Sequence, residues 1–575
     1  MERVARLSKN AAALVGAKLA TSGLSFLMAI ILNKELGPVK VGIYNYAFVL
    51  YTIFQVIPDF GIGYISIRDV SQDNSKLHYY FRNIVGLRLL LGFGAFILLM
   101  ATNLITTALQ GPGALTAEKF WVVFTIAFCL LIEQPFSNTL AENFIALERL
   151  TAVALVYLIL GVMKVALSIY VVLAGYNHVL VLLILVYIFT YLYSIIHFYI
   201  IYRRLLGRES RLTSGSWDKA LAEAVTHAPE SPSEAVYEAL VADFSYADLT
   251  RTAETEPGLE GVPTPASTPD ADSPAEEAKT SSSGTGDRKY NREFWLYLLR
   301  SAWPLAVVSG GVIIYAVLDI PILSWIKGDK EVGLYSAAAM FAKALVLFTL
   351  AINMAILPAV SKVYNKFPER LGIIWERLLY YALALTVPLV VITPVLARPF
   401  LILEEHDFIT AWHAVWLTMA AMNFSFITAI SFPFFVVINK QKKITVVVST
   451  GLAIKVVLDF IAIPIWGYMG AAMVMVFSEF AVFALICIAL SRELRYRINV
   501  VRFAGAPLIS LVVLYLSAFV LNKLFITGKD TVASSVQAAF IVTIISSILY
   551  LAFAKASGIL KKSKLRELNE WLTVD

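Results

Sequence analysis

Fourteen runs of mostly apolar residues dominate this 575-residue sequence, each long enough to cross a hydrocarbon core of ~30 Å as a helix. They lie at 11–33, 41–66, 81–104, 119–141, 151–174, 178–202, 295–325, 332–360, 372–396, 409–438, 444–466, 468–490, 503–522 and 534–556. No water reaches a bilayer core, so every backbone amide in such a run has to be satisfied within the protein; helices do this alone, strands only as closed barrels. Strand-period alternation, the mark of a barrel, is absent from the sequence. Composition points the same way: 15% of residues are charged and mean hydropathy is +0.74, where an ordinary soluble domain carries about 25% charge. A soluble enzyme, a disordered chain and a secreted disulfide scaffold are excluded. The two cysteines, Cys129 and Cys487, sit inside apolar runs and offer neither a disulfide framework nor zinc spacing. The first run is no cleavable signal, because Lys34-Glu35-Leu36-Gly37-Pro38 follows it in place of a small-residue cleavage site. The sequence predicts an all-α integral membrane protein.

Charge sets the expected orientation. With the N-terminus inside, inner segments carry 33 Lys and Arg, outer loops carry 8 and the spans carry 6. Such a bias fits fourteen helices with both ends cytoplasmic. One segment departs from this basic body: residues 205–290 hold 16 Asp and Glu against 7 Lys and Arg, with many Ser, Thr and Pro. It buries too little apolar surface to order itself and reads as a mostly disordered acidic linker, with short helical patterns at 216–227 and 233–243.

The two sides of that linker repeat. Leu36–Ala47 aligns with Lys327–Ala338 at an offset of 291, matching Gly37/Gly328, Val41/Val332, Gly42/Gly333, Tyr44/Tyr335 and Ala47/Ala338. The same offset pairs Lys164 with Lys455, and Gly175-Tyr176 finds Gly467-Tyr468 one residue out of phase. Both matching loops fall outside, so the repeat is parallel, an arrangement in which transporters place the substrate path between two halves. The expected organisation is an N-lobe at 1–204 with helices 1–6, the linker at 205–290, a C-lobe at 291–502 with helices 7–12, and helices 13–14 with a basic tail at 503–575.

Ionisable residues within the spans are the strongest pointers to function, since each charge at a helix centre costs roughly 2.5–3.5 kcal/mol. The basic ones are Lys18, Arg88, Lys164, Arg300, Lys343 and Lys455; the acidic ones are Asp59, Glu133, Asp319, Asp459 and Glu479. Arg300 lies near a helix start and can snorkel. Arg88, Lys164, Lys343 and Lys455 are candidates for a cationic cavity that takes an anionic head group such as a diphosphate. The acids are candidates for coupling to H+ or Na+, or for structural pairs; Lys455 and Asp459, four apart, can neutralise one another. No Walker A, HExxH or paired CxxC motif is present, and nothing in the sequence reads as covalent catalysis.

The stretch Lys18–Asp69, with Leu36-Gly37-Pro38, Gly42-Ile43-Tyr44 and Asp59-Phe60-Gly61, resembles the opening of Wzx-type polysaccharide flippases of the multidrug/oligosaccharidyl-lipid/polysaccharide (MOP) exporter superfamily. Trp303-Pro304, Asp319-Ile320-Pro321, Val332-Gly333-Leu334-Tyr335, Lys343, Leu357-Pro358, Lys440–Lys443, Lys455 and Gly467-Tyr468-Met469-Gly470-Ala471 extend the likeness through the second half. The resemblance implies two six-helix lobes about a central cavity, alternating access, and movement of a polyprenyl-(di)phosphate-linked oligosaccharide to the outer leaflet of the plasma membrane. It also implies a transporter with no resident cofactor, with membrane lipid and glycan-assembly enzymes as partners and no nucleic acid. The acidic linker departs from the family pattern, and fourteen helices resemble the lipid II flippases more than the common twelve-helix members. The rivals are a cation-coupled multidrug exporter or a lipid II-type flippase on the same fold, a scaffold that recruits glycosyltransferases through 205–290, and a membrane glycosyltransferase, for which the one DxD tripeptide, Asp270-Ala271-Asp272, lies in the acidic linker.

Overall fold

The computed structural model describes residues 2–73, 76–110, 116–147, 149–176, 178–209, 291–404 and 406–496, with a few isolated positions between 515 and 555. Among the described residues there are helices and no strand. In chain order the α-helices are α1 Glu2–Phe54, α2 Val56–Asp59, α3 Ile62–Gln72, α4 Leu77–Gln110, α5 Ala117–Phe128, α6 Thr139–Ala146, α7 Leu150–Leu173 and α8 Val179–Glu209. Then follow α9 Arg292–Val317, α10 Asp319–Lys327, α11 Asp329–Lys366, α12 Leu371–Glu404, α13 Trp412–Val437 and α14 Gln441–Glu493.

Helices α1 and α14 are each 53 residues long. A straight helix of that length would run ~80 Å, far beyond the membrane core. Each is kinked at one glycine, Gly37 (φ 71°, ψ 170°) and Gly467 (φ 57°, ψ −134°), where positive φ is cheap only without a Cβ. Both kinks fall between expected spans, so the first twelve expected spans coincide with helical elements. Among the described residues, seven helices are long and apolar enough to cross a membrane, or eight if the pair Arg292–Trp303 and Leu305–Val317, bent by 51°, is one span. Apart from those isolated positions, spans thirteen and fourteen lie outside the described residues, as do the segment 210–290 and the patterns at 216–227 and 233–243.

Three expected spans are not continuous helices. The second breaks where Phe60 (φ 44°) and Gly61 (φ 69°) turn left-handed, and a Cβ on Gly61 would stand 2.8 Å from Leu305. The fourth passes through a 3-10 turn at Cys129–Leu131 and a π turn at Glu133–Asn138 that contains Pro135. The seventh is split at Leu318. Each break sets a carboxylate at a helix end: Asp59 closes α2, Glu133 opens the π turn and Asp319 opens α10. For Asp319 the free N–H groups of the helix start favour negative charge.

The repeat is structural. Gly328 (φ 86°, ψ 179°) has nearly the conformation of its match Gly37. A Cβ added to Gly42 would lie 1.7 Å from the Asp329 carbonyl oxygen, and one on Gly333 would lie 1.9 Å from the Pro38 carbonyl oxygen. Pro38 and Asp329 are themselves matched at the offset of 291. Reciprocal contact of equivalent residues is the signature of a local two-fold relation. Packing follows the same division. One apolar core draws its buried residues from 28–186 and another from 360–490. Two shared cores join them: Val41 and Val49 pack with Ile320, Leu323 and Val332 at the Gly37 end, and Ile62, Tyr80 and Ile84 pack with Phe294, Leu298 and Ala302 at the other.

Candidate functional site

The two matched lysines hold their ammonium groups in different ways. Lys164 Nζ sits 3.8 Å from the ring centroid of Tyr187 and 5.9 Å from that of Tyr191. No carboxylate lies within ion-pair distance of it among the described residues. The Tyr187 hydroxyl is 2.9 Å from the Tyr44 hydroxyl. In the second half, Lys455 Nζ donates to the Tyr315 carbonyl at 3.0 Å and lies 3.5 Å from Asp319 Oδ1. The Tyr335 hydroxyl donates to the other oxygen of Asp319. Tyr44 and Tyr335 are matched residues, so each half links a matched tyrosine to a matched lysine through one intermediary. That intermediary is an aromatic ring in one half and a carboxylate in the other.

Arg88 belongs to a third cluster. It is fully buried. Its Nη1 and Nη2 donate to both oxygens of Glu142 at 2.8 and 2.7 Å, a bidentate fork. Thr139 Oγ1 accepts at 2.8 Å, and Asp59 Oδ1 lies 3.5 Å away. The π turn contributes the Gln134 carbonyl at 3.3 Å. The breaks at Phe60–Gly61 and Glu133–Asn138 thus carry Asp59 and Gln134 to one guanidinium.

The four candidate cations separate into two kinds. Arg88 and Lys455 are held by carboxylates inside the protein. Lys164 is half-buried, and Lys343 on α11 is exposed beside buried Phe341 and Ala342. Neither has an ion-pair partner among the described residues. The acids divide similarly. Asp59 and Asp319 face Arg88 and Lys455, whereas the expected pairing of Lys455 with Asp459 is corrected: its partner is Asp319, brought in by the break at Leu318. Asp459 is fully buried, with no hydrogen-bond partner on either carboxylate oxygen. Glu133 lies within electrostatic reach of Lys164 and Tyr191, and Glu479 within reach of Tyr315, Ser425 and Lys455.

Several participants escaped the sequence reading. Glu142 lies one residue beyond the expected fourth span, outside the segments whose charges the sequence singles out. Tyr187, Tyr191 and Tyr315 look like ordinary membrane aromatics; the tyrosines that the repeat marks are others, Tyr44 with Tyr335 and Tyr176 with Tyr468. Lys119 reads as a loop residue, yet it is 1% exposed and bonded to Asp329. No cluster of His, Cys, Asp and Glu with the makings of a metal site occurs among the described residues.

A family model described as polysaccharide biosynthesis protein matches residues 7–226 and 285–364, more than half of the chain. No curated protein matches it. Among solved structures it is similar to one titled lipid II flippase MurJ, inward closed conformation, with 13% identity over 96% of this chain and 99% of that chain and a TM-score of 0.56. It is also similar to an inward-facing multidrug resistance MATE family transporter of the MOP superfamily, with 12% identity over 83% of this chain and 94% of that chain and a TM-score of 0.56. At such identities the likeness is one of fold.

Proposed function

Because the chain belongs to the polysaccharide biosynthesis protein family, we propose that it is a flippase for a polyprenyl-(di)phosphate-linked oligosaccharide, carrying it from the cytoplasmic to the outer leaflet of the plasma membrane. The observation that carries this reading is the pair Lys164 and Lys343. They come from opposite halves, lie within expected membrane spans, and have no carboxylate at ion-pair distance among the described residues. An unpaired ammonium in a low-dielectric span is costly unless it has an anion to meet. A diphosphate supplies that anion, while the prenyl tail stays in lipid and the sugars occupy the space between the lobes at 1–204 and 291–502. Arg88 and Lys455 fix the shape of each lobe around the site. The Gly37 end is the outer one on the positive-inside bias, and alternating access parts the Gly42 and Gly333 contacts there. Glu133, Asp319, Asp459 and Glu479 fit coupling to H+ or Na+, and glycan-assembly enzymes fit as partners. This is transport rather than catalysis.

The test is depletion of the protein in its native cells with radiolabelled sugar, scoring lipid-linked glycan by leaflet. Accumulation on the cytoplasmic side, reversed by the wild type but not by Lys164→Ala or Lys343→Ala at normal membrane levels, is the expected result. Normal export by both variants would overturn the cationic site. An unchanged lipid-linked pool together with altered sensitivity to cationic drugs would favour a cation-coupled exporter instead.

A further inference from the structure

An ammonium inside a membrane protein is held by a carboxylate, by an aromatic face or by both, and equivalent positions of this chain differ: Lys455 has the Asp319 carboxylate besides the Tyr315 ring at 5.5 Å, whereas Lys164 has aromatic rings and no carboxylate at ion-pair distance among the described residues. A carboxylate neutralises it, as Asp319 does for Lys455 at 3.5 Å. An aromatic face attracts it through the ring quadrupole and leaves its charge intact, as Tyr187 does for Lys164 at 3.8 Å. The two outcomes differ for a ligand. A phosphate approaching Lys455 must compete with a carboxylate already in place, whereas at Lys164 it meets an ammonium with no carboxylate at ion-pair distance among the described residues, Glu133 being the acid in electrostatic reach. The Tyr187 ring is itself fixed on two sides. It packs 4.5 Å from the Phe48 ring, and its hydroxyl is 2.9 Å from that of Tyr44. Phe48 in turn lies 4.7 Å from the Tyr44 ring, and Tyr44 is buried. The Lys164 ammonium therefore stands against a supported surface rather than at the end of a free four-carbon stem.

We propose that Tyr187 is a positioning residue, holding the Lys164 ammonium against an aromatic face rather than a carboxylate so that it meets a phosphate-bearing head group. The proposal rests on the reading of Lys164 as a head-group ligand. It makes the ring, not the hydroxyl, the part that matters at the ammonium, and it makes neutrality of residue 187 a condition for binding.

The test is equilibrium binding of a short-chain prenyl diphosphate to the purified full chain in detergent micelles, with melting temperature recorded for each variant. Tyr187→Phe keeps the ring and is expected to bind within about twofold of wild type. Tyr187→Leu removes the ring and is expected to bind about tenfold more weakly. The double variant Tyr187→Leu/Lys164→Ala is expected to bind no more weakly than Lys164→Ala alone, because the two residues act as one unit. Tyr187→Glu brings a carboxylate to Lys164, as Asp319 does for Lys455, and is expected to lose binding beyond the loss in Tyr187→Leu, which lacks the same ring packing. Wild-type affinity in Tyr187→Leu beside a loss in Lys164→Ala overturns the role of Tyr187 alone, as does Tyr187→Phe binding as weakly as Tyr187→Leu. No binding by the wild type, or wild-type binding by Lys164→Ala, overturns the head-group reading itself and the proposal with it.

Discussion

The Lys119 ammonium lies 2.8 Å from the Asp329 carboxylate, joining the start of α5 to the start of α11 across the two halves of the chain. Lys119 is 1% exposed and stands 4.5 Å from the ring centroid of Tyr46. The same carboxylate accepts from the Ser324 hydroxyl at 2.9 Å, and Gln110 donates to the Ser324 carbonyl at 2.6 Å. Asp329 is also the residue whose carbonyl oxygen touches Gly42. One residue thus takes part in both the close backbone contact and the ionic contact between the halves.

Removing the ammonium leaves Asp329 at this interface with its hydroxyl donor but without its cation. Lys119→Met is expected to lower stability by about 1–3 kcal/mol, less than a fully buried pair would cost because the carboxylate keeps some exposure. Adding Asp329→Asn should recover a good part of the loss. Thermal unfolding of the two variants in detergent measures this, and a Lys119→Met variant that melts with the wild type would show that the pair holds nothing together.

The glycine contacts predict a steric effect instead. Gly42→Val or Gly333→Val places atoms where the opposite backbone already sits, so the halves have to separate at that end. Ser324, fully buried beside the contact, reports on it. In a Ser324→Cys background, each valine variant is expected to raise the rate of modification by a small maleimide by about tenfold or more, as local opening exposes the thiol. Unchanged protection would mean that this end does not depend on the bare glycine backbones.

Arg88 and Lys164 should differ in kind. Arg88→Leu strands Glu142 and Asp59 with no guanidinium, and loss of one partner from a buried pair costs about 3–5 kcal/mol. Lys164→Ala strands no carboxylate and is expected to change stability by less than about 1 kcal/mol. Denaturation of both variants in the same detergent separates them. Equal stability would remove the distinction between a structural and a ligand-facing cation.

Much of the fold was legible because a membrane enforces simple rules. Apolar length marks segments that are helical through the first twelve expected spans, and the offset of 291 makes equivalents of Gly37 and Gly328, which share a backbone conformation. The charge clusters were less legible, for a local reason in each case. Lys455 and Asp459 share a helix face, which suggested a pair, but the interruption at Leu318 carries Asp319 from another element into that place. Glu142 was hidden by a boundary uncertain by a few residues. Lys119 reads as a loop charge because nothing in its neighbourhood reveals that α11 begins beside it.

The sequence by itself determined that the chain is a helical, multi-pass membrane protein, that it is built on a parallel repeat, and that it carries more charge within its spans than lipid tolerates. These follow from hydropathy, length and internal similarity, which are properties of the chain alone. Only the tertiary structure decided which charges are spent on one another and which stay unpaired. An ion pair depends on a few ångströms between residues hundreds of positions apart, and those distances are set by where helices break and cross. At Lys164 and Lys455 the sequence shows the same residue twice; the ring of Tyr187 and the carboxylate of Asp319 give the two their different characters.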